Sequence, residues 1–162
     1  EVLREAGTDF QLKPFGMRAM NSLRLEKSFG AWMKEYRPDY MPVEVGLDQF
    51  IEYEKTVEFI GKTSASQERE DGVTRQLCTF VVNANDADVH GDEPIWVGDN
   101  VVGFVTSGGF SHYIGESVAL GFLPVPLITE GREVEIEILG ERRKATLKQE
   151  PLFDPQGMRM RS

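Results

Sequence analysis

Cysteine, histidine and positive charge are all scarce in this chain. Its 162 residues include one cysteine, Cys78, and two histidines, His90 and His112. A single cysteine excludes an intramolecular disulfide. Cys78 lies in an apolar run and reads as a small buried hydrophobe rather than a nucleophile. The two histidines do not cluster with it in a metal-ligand spacing, so no metal site is expected. Asp86, Asp88, His90 and Gly91 copy the opening of a calcium loop, but the position for its closing acid holds Val97. A solvated acidic loop is expected there. Lys and Arg total 18 against 27 Asp and Glu, a net charge of −9. That balance excludes nucleic acid as the main partner, because neutralising phosphates needs a basic surface. It leaves room for a small anionic ligand held by one or two local cations. No apolar run reaches the roughly 18 residues of a membrane helix, so no membrane partner is expected. The expected location is the cytoplasm or an organelle matrix.

What is present is enough for a folded core: 40% hydrophobic residues and 10% aromatics. Glu1 to Gly7 reads as the end of a helix with its glycine stop, and suggests a piece of a longer chain. Gly16 to Lys27 has helical patterning, with Ala19, Met20 and Leu23 on one face. Glu35 to Pro42 is loop-like, and Phe59 to Lys62 opens a turn or short helix. Thr63 to Thr74 is polar and charged, the best boundary in the chain.

Beyond it the pattern turns to strands. Arg75 to Val82 is an apolar run. Ile95–Val97 and Val101–Val105 flank the turn residues Gly98-Asp99-Asn100, as in a hairpin. Ser117 to Leu123 is a further run, stopped by Pro124. Val134, Ile136 and Ile138 alternate with Glu133, Glu135 and Glu137, the mark of a strand with one buried face. Its acidic face is expected to meet Arg143 and Lys148 on the return strand. The fold class is α+β: a helical amino-terminal segment followed by a small antiparallel β-barrel.

Direct chemistry is sparse. Ser107 to Gly115 is glycine-rich but has neither a P-loop ending nor dinucleotide-loop spacing. It reads as a turn in which glycine permits positive φ. His112 has serines nearby but no nucleophile-elbow pattern. Arg24 and Glu26 read as structural charges, and Phe29, Trp32, Tyr36 and Tyr40 as core and rim. No catalytic residue is expected.

Two stretches, in order and in spacing, resemble the aminomethyltransferase (glycine-cleavage T-protein) superfamily. The first is Leu12-Lys13-Pro14-Phe15-Gly16-Met17-Arg18-Ala19-Met20-Asn21-Ser22-Leu23-Arg24-Leu25-Glu26-Lys27, followed by Trp32, Pro42–Leu47 and Phe59–Lys62. The second is Pro94–Val97, Val102–Phe110 and Gly115–Phe122. With Pro151-Leu152-Phe153-Asp154-Pro155 they span nearly the whole chain. The first stretch and the ending through Arg161 look closest to the folate domains of dimethylglycine and sarcosine dehydrogenases. T-proteins carry an arginine where this chain has Met20, which also favours that branch.

The resemblance implies a division into residues 1–62, the end of a folate-binding domain; 63–74, a linker; and 75–162, the carboxy-terminal barrel. It implies tetrahydrofolate as cofactor, with FAD confined to an amino-terminal part of the parent outside this chain. The parent would be an N-demethylating oxidoreductase, the isolated chain inactive, and the remainder of the parent its partner. In a eukaryote the resemblance implies the mitochondrial matrix. Phe29 aligns with an aromatic near the folate. Arg159 or Arg161 falls near an arginine that pairs with the folate glutamate tail, where guanidinium binds carboxylate through two parallel hydrogen bonds. A glycine-cleavage aminomethyltransferase, a non-catalytic regulatory relative and a purely structural lid are the alternatives.

Overall fold

A computed structural model describes residues 1–161. Six antiparallel strands close a barrel in the order β1-β4-β3-β2-β5-β6. They are β1 (Arg75–Val82), β2 (Pro94–Val97), β3 (Asn100–Ser111), β4 (Glu116–Pro124), β5 (Glu133–Ile138) and β6 (Glu141–Lys148). The expected α+β class, with a small antiparallel barrel, is what the chain forms. Three helices precede it: α1 (Val2–Ala6), α2 (Met17–Glu26) and α3 (Lys62–Asp71).

Side chains alternate across each strand, so every second residue enters the barrel. Phe80, Val82, Ile95, Val105, Ala119, Leu123, Val134, Ile136, Ala145 and Leu147 fill the interior. Cys78 joins them, 7% exposed; burial pushes its thiol up to about 12, well beyond nucleophilic use. β4 is buried on both faces because α2 covers its outside. Leu25 packs there with Val118 and Leu120, and Leu77, Ile114 and Leu152 close the margin.

The structure adds to or alters four sequence readings. First, the shared face of Ala19, Met20 and Leu23 is the outward one, with Met20 and Leu23 about half exposed; the helix buries Leu25 and Glu26. Polar side chains set the roll of α2: Ser22 Oγ donates to Phe110 O at 2.9 Å, and Ser111 Oγ to Glu26 Oε1 at 2.9 Å.

Second, Ser107–Ser111 is the end of β3 and not a turn; of the glycines between Ser107 and Gly115, only Gly115 has positive φ. Gly108 is required by close approach, since a Cβ there would sit 2.6 Å from Val89 O. Third, Arg143 stands opposite Ile136 on the inward side, and Lys148 pairs with Glu130, so neither meets the acidic face of β5. Arg143 turns at the barrel rim to Asp86 and Glu141, while Arg142 reaches Glu135 at 3.7 Å. Fourth, the polar segment after Gly61 is helical over Lys62–Asp71, with Ala65 and Glu68 as its buried positions.

Among the described residues no helix is long and apolar enough to cross a membrane, and no group of three or more His, Cys, Asp or Glu could hold a metal ion.

Candidate functional site

Two buried carboxylates fasten α2 and the loop after it to the barrel. Glu26, at the end of α2, is 4% exposed. Its Oε1 accepts from Ser111 Oγ at 2.9 Å and from the Tyr113 N–H at 3.0 Å. Its backbone carbonyl accepts the Phe153 N–H at 2.9 Å. One residue thereby joins α2, the β3–β4 hairpin and the carboxy-terminal segment.

Glu35 is fully buried, at 0% exposure. Its Oε2 accepts the Ala31 N–H at 2.8 Å and lies 3.4 Å from Arg24 Nη1. Its Oε1 accepts from Thr106 Oγ1 at 2.6 Å and from Ser107 Oγ. Arg24 also donates to Asn21 Oδ1 at 2.9 Å, Ser107 Oγ at 2.9 Å and Phe29 O at 3.2 Å. Burial pushes the Arg24 guanidinium below its ordinary value, and the Glu35 charge opposes that shift. A buried pair of this kind is tolerable only when its remaining donors and acceptors are satisfied; here β3 hydroxyls and loop amides do so.

This polar anchor presents the loop between α2 and Tyr36 at the surface. Ser28 and Met33 have positive φ, at 56° and 69°, a strained choice for residues with side chains that the anchor enforces. Phe29 is 48% exposed and Trp32 79%. Trp32 therefore belongs to the surface, not to the core. Tyr36 is partly buried, its hydroxyl accepting the Gly30 N–H at 3.0 Å.

The structure brings Phe29 and Arg159 into one chain of contacts. Lys27 Nζ lies 5.9 Å from the Phe29 ring centroid and 3.8 Å from Asp154 Oδ2. Asp154 accepts the Met158 N–H at 2.8 Å and the Arg159 N–H at 3.2 Å. The Arg159 guanidinium sits 5.2 Å from the Phe153 ring centroid, and that ring meets Tyr113 edge-on at 4.9 Å. Arg161 is exposed, with its backbone N–H on Met158 O at 3.2 Å. None of the three lines the cleft of about 610 Å³ beside Asn85, Asp88, Phe110 and Ser117. The arrangement sets the half-exposed Phe29 ring beside a largely buried Lys27–Asp154 pair, with Arg159 exposed next to it.

Sequence reasoning missed Glu35 and the presentation of Trp32. The Glu35 contacts on β3 lie about 70 residues away in the chain, beyond any local pattern. The one local signal was a glutamate closing a short segment rich in aromatics and glycine.

Residues 1–55 match the GCVT N-terminal domain, and residues 75–154 the glycine cleavage T-protein C-terminal barrel domain. Mitochondrial dimethylglycine dehydrogenase of Mus musculus is 41% identical over 152 residues, covering 94% of this chain and 18% of that protein. The aminomethyltransferase of Symbiobacterium thermophilum is 34% identical over 153 residues, covering 94% of this chain and 40% of that protein. The chain thus spans well under half the length of these relatives. The crystal structure of glycine cleavage system aminomethyltransferase T from Bartonella henselae superposes with a TM-score of 0.84 at 24% identity, over 95% of this chain and 43% of that one. That likeness concerns the fold. Two domain matches in chain order, and this identity along nearly the whole length, establish that the chain belongs to the glycine cleavage T-protein family.

Proposed function

We propose that the chain is the barrel-bearing part of a tetrahydrofolate-dependent N-demethylating oxidoreductase of the dimethylglycine dehydrogenase type, and that it supports folate binding and one-carbon capture. The observation that carries this is the 41% identity to dimethylglycine dehydrogenase along 94% of the chain, against 34% to an aminomethyltransferase. The residues present fit a folate. Phe29 offers a half-exposed ring to a pterin or aminobenzoyl group, and Arg159 and Arg161 offer guanidinium to the glutamate carboxylates. Bound tetrahydrofolate would supply the acceptor for the one-carbon unit. The chain's own contribution is to hold that acceptor in place and to shield it from water.

On this reading residues 1–62 close a folate-binding domain, 63–74 connect, and 75–162 form the barrel. The apolar surface of residues 1–33, with Phe10, Phe15, Met17, Met20 and Leu23 outward, is where the rest of a larger protein docks. FAD belongs to that remainder, the isolated chain is inactive, and the location is the cytoplasm or, in a eukaryote, the mitochondrial matrix. The second reading is an aminomethyltransferase, supported by the 34% identity to one along 94% of the chain.

Calorimetry with tetrahydrofolate, on this chain and on the longer parent side by side, tests the proposal. Binding by the parent alone supports it, and binding by neither removes the folate reading. In the parent, Phe29→Ala is expected to weaken folate binding about 2- to 12-fold, the worth of one aromatic contact. Unchanged affinity would move the site away from Phe29.

A further inference from the structure

The buried pair behind the Phe29 loop does more than attach that loop to the barrel. We infer that Arg24 and Glu35 are positioning residues for the Phe29 ring, acting on a bound folate through that ring. This role rests on the folate reading of Phe29 and names the groups that fix its geometry.

Three successive amides of the loop are tied down. The Phe29 N–H donates to Arg24 O at 2.8 Å, the Gly30 N–H to Tyr36 Oη at 3.0 Å and the Ala31 N–H to Glu35 Oε2 at 2.8 Å. The Phe29 carbonyl is held too, by Arg24 Nη1 at 3.2 Å. Arg24 thus grips Phe29 through both its backbone groups, and Glu35 faces the same guanidinium at 3.4 Å. β3 in turn holds the pair, through the Thr106 and Ser107 hydroxyls on Glu35 and Arg24 on Ser107 Oγ. Gly30 permits the close approach, since a Cβ there would meet the Tyr36 ring at 2.7 Å. Yet the ring that this framework places is half exposed. A backbone fixed amide by amide and ending in an accessible ring is what a preorganised contact requires.

The pair is a poor choice for stability alone. Burial lowers the Arg24 guanidinium by more than the Glu35 charge raises it, so the attraction does not repay the desolvation. Apolar side chains of similar volume would fasten the loop as well or better. They would not set its direction. One planar guanidinium reaching Asn21, Phe29 O, Glu35 and Ser107 together does.

The test is calorimetry with tetrahydrofolate on the longer parent. It compares the unsubstituted protein with Glu35→Gln, Arg24→Lys and Phe29→Ala, and with each of the first two combined with Phe29→Ala. Circular dichroism sets a temperature at which the variants are folded. Arg24→Lys keeps a charge opposite Glu35, so it carries the test where Glu35→Gln does not fold. Each substitution at the pair should weaken binding about 2- to 12-fold, up to the loss in Phe29→Ala. Neither should weaken it further once the ring is gone, because residues acting through one contact are not additive. A purely structural pair gives no change, or the same loss with and without the ring; either result overturns the inference. If Phe29→Ala weakens binding and neither Glu35→Gln nor Arg24→Lys does, the positioning role falls alone. If the unsubstituted parent does not bind, or Phe29→Ala leaves affinity unchanged, the folate reading of Phe29 falls and takes this role with it.

Discussion

The barrel and the segment before it are built on opposite plans. The barrel keeps its apolar side chains inside, and Phe80, Ile95, Val105, Ile136 and Leu147 are all at 0% exposure. In residues 1–62, only Leu25 and Val45 are buried hydrophobics, while Phe10, Phe15, Met17, Trp32 and Phe50 are all more than 60% exposed. That segment is held by buried carboxylates instead: Glu26, Glu35 and Glu44. The barrel owes its stability to the hydrophobic effect, which is non-directional and tolerant. The segment owes its position to a few directional contacts, which set orientation with little surplus energy.

The comparison is broken most sharply by removing one aromatic from each region. Phe80→Ala should cost about 3–5 kcal/mol by emptying a packed interior. Phe10→Ala, at 84% exposure, should change stability by less than about 0.5 kcal/mol. Urea unfolding of the two variants measures both, and equal losses would mean that the two regions share one core.

Next in size is the anchor of the segment. Glu35→Gln removes the charge that faces buried Arg24 and is expected to cost about 1.5–3 kcal/mol, the range for hydrogen bonds to charged groups. The loss should be local. The chain has two tryptophans, one in each region: Trp32 on the anchored loop and Trp96 in β2. Trp32 emission anisotropy should fall in the variant, read with Trp96 replaced by Phe, while Trp96 anisotropy, read with Trp32 replaced by Phe, should stay unchanged and report an intact barrel. A drop at both would show that the anchor also holds the barrel.

The two plans also explain what could be read from the sequence. β1, β5, β6 and the Gly98-Asp99 turn were legible because alternation and turn chemistry are local. The outward roll of Met20 and Leu23 was not, because partners on β3 decide it. α3 was hidden because its buried positions are Ala65 and Glu68, which leave no apolar stripe. For the site, only the resemblance named Phe29, Arg159 and Arg161; their local sequence carries no such signal, and the contacts through Lys27 and Asp154 that link Phe29 to the Arg159 backbone arise only in the fold. Glu35 gave no comparable signal, since a glutamate reveals itself as buried only when its donors are in place.

Acidity sharpens the comparison further, because Glu44 and Glu68 are neighbours with opposite shifts. Burial raises the Glu44 carboxyl, but the hydrogen bonds from Arg75 and the Met41 amide outweigh it, and the net shift is downward. Glu44 therefore adds stability above its unfolded value, lost as pH falls through the folded one. Glu68, shifted upward, holds its proton more tightly when folded. Its contribution is full below its unfolded value and is lost as pH rises through the folded one. Melting temperatures from acid to neutral pH should thus separate the two. Relative to the parent sequence, Glu68→Gln gains stability as pH rises, and Glu44→Gln loses it. Parallel profiles would refute the opposed shifts.

The smallest expected effect lies at the barrel rim, where polar contacts supplement a core that does not depend on them. Arg142 lies 3.8 Å over the Trp96 ring, donates to Gly98 O at 2.9 Å and reaches Glu135 at 3.7 Å. The pair is partly exposed, so the ion contact counts for little and the stacked guanidinium for about 0.5–1 kcal/mol. Arg142→Ala should lose about that much and shift Trp96 emission while leaving Trp32 unchanged. Arg142→Lys keeps the charge but not the planar stack. If lysine restores stability, the contact is electrostatic; if it behaves as alanine does, the flat face of the guanidinium on Trp96 is what the β2–β3 hairpin uses.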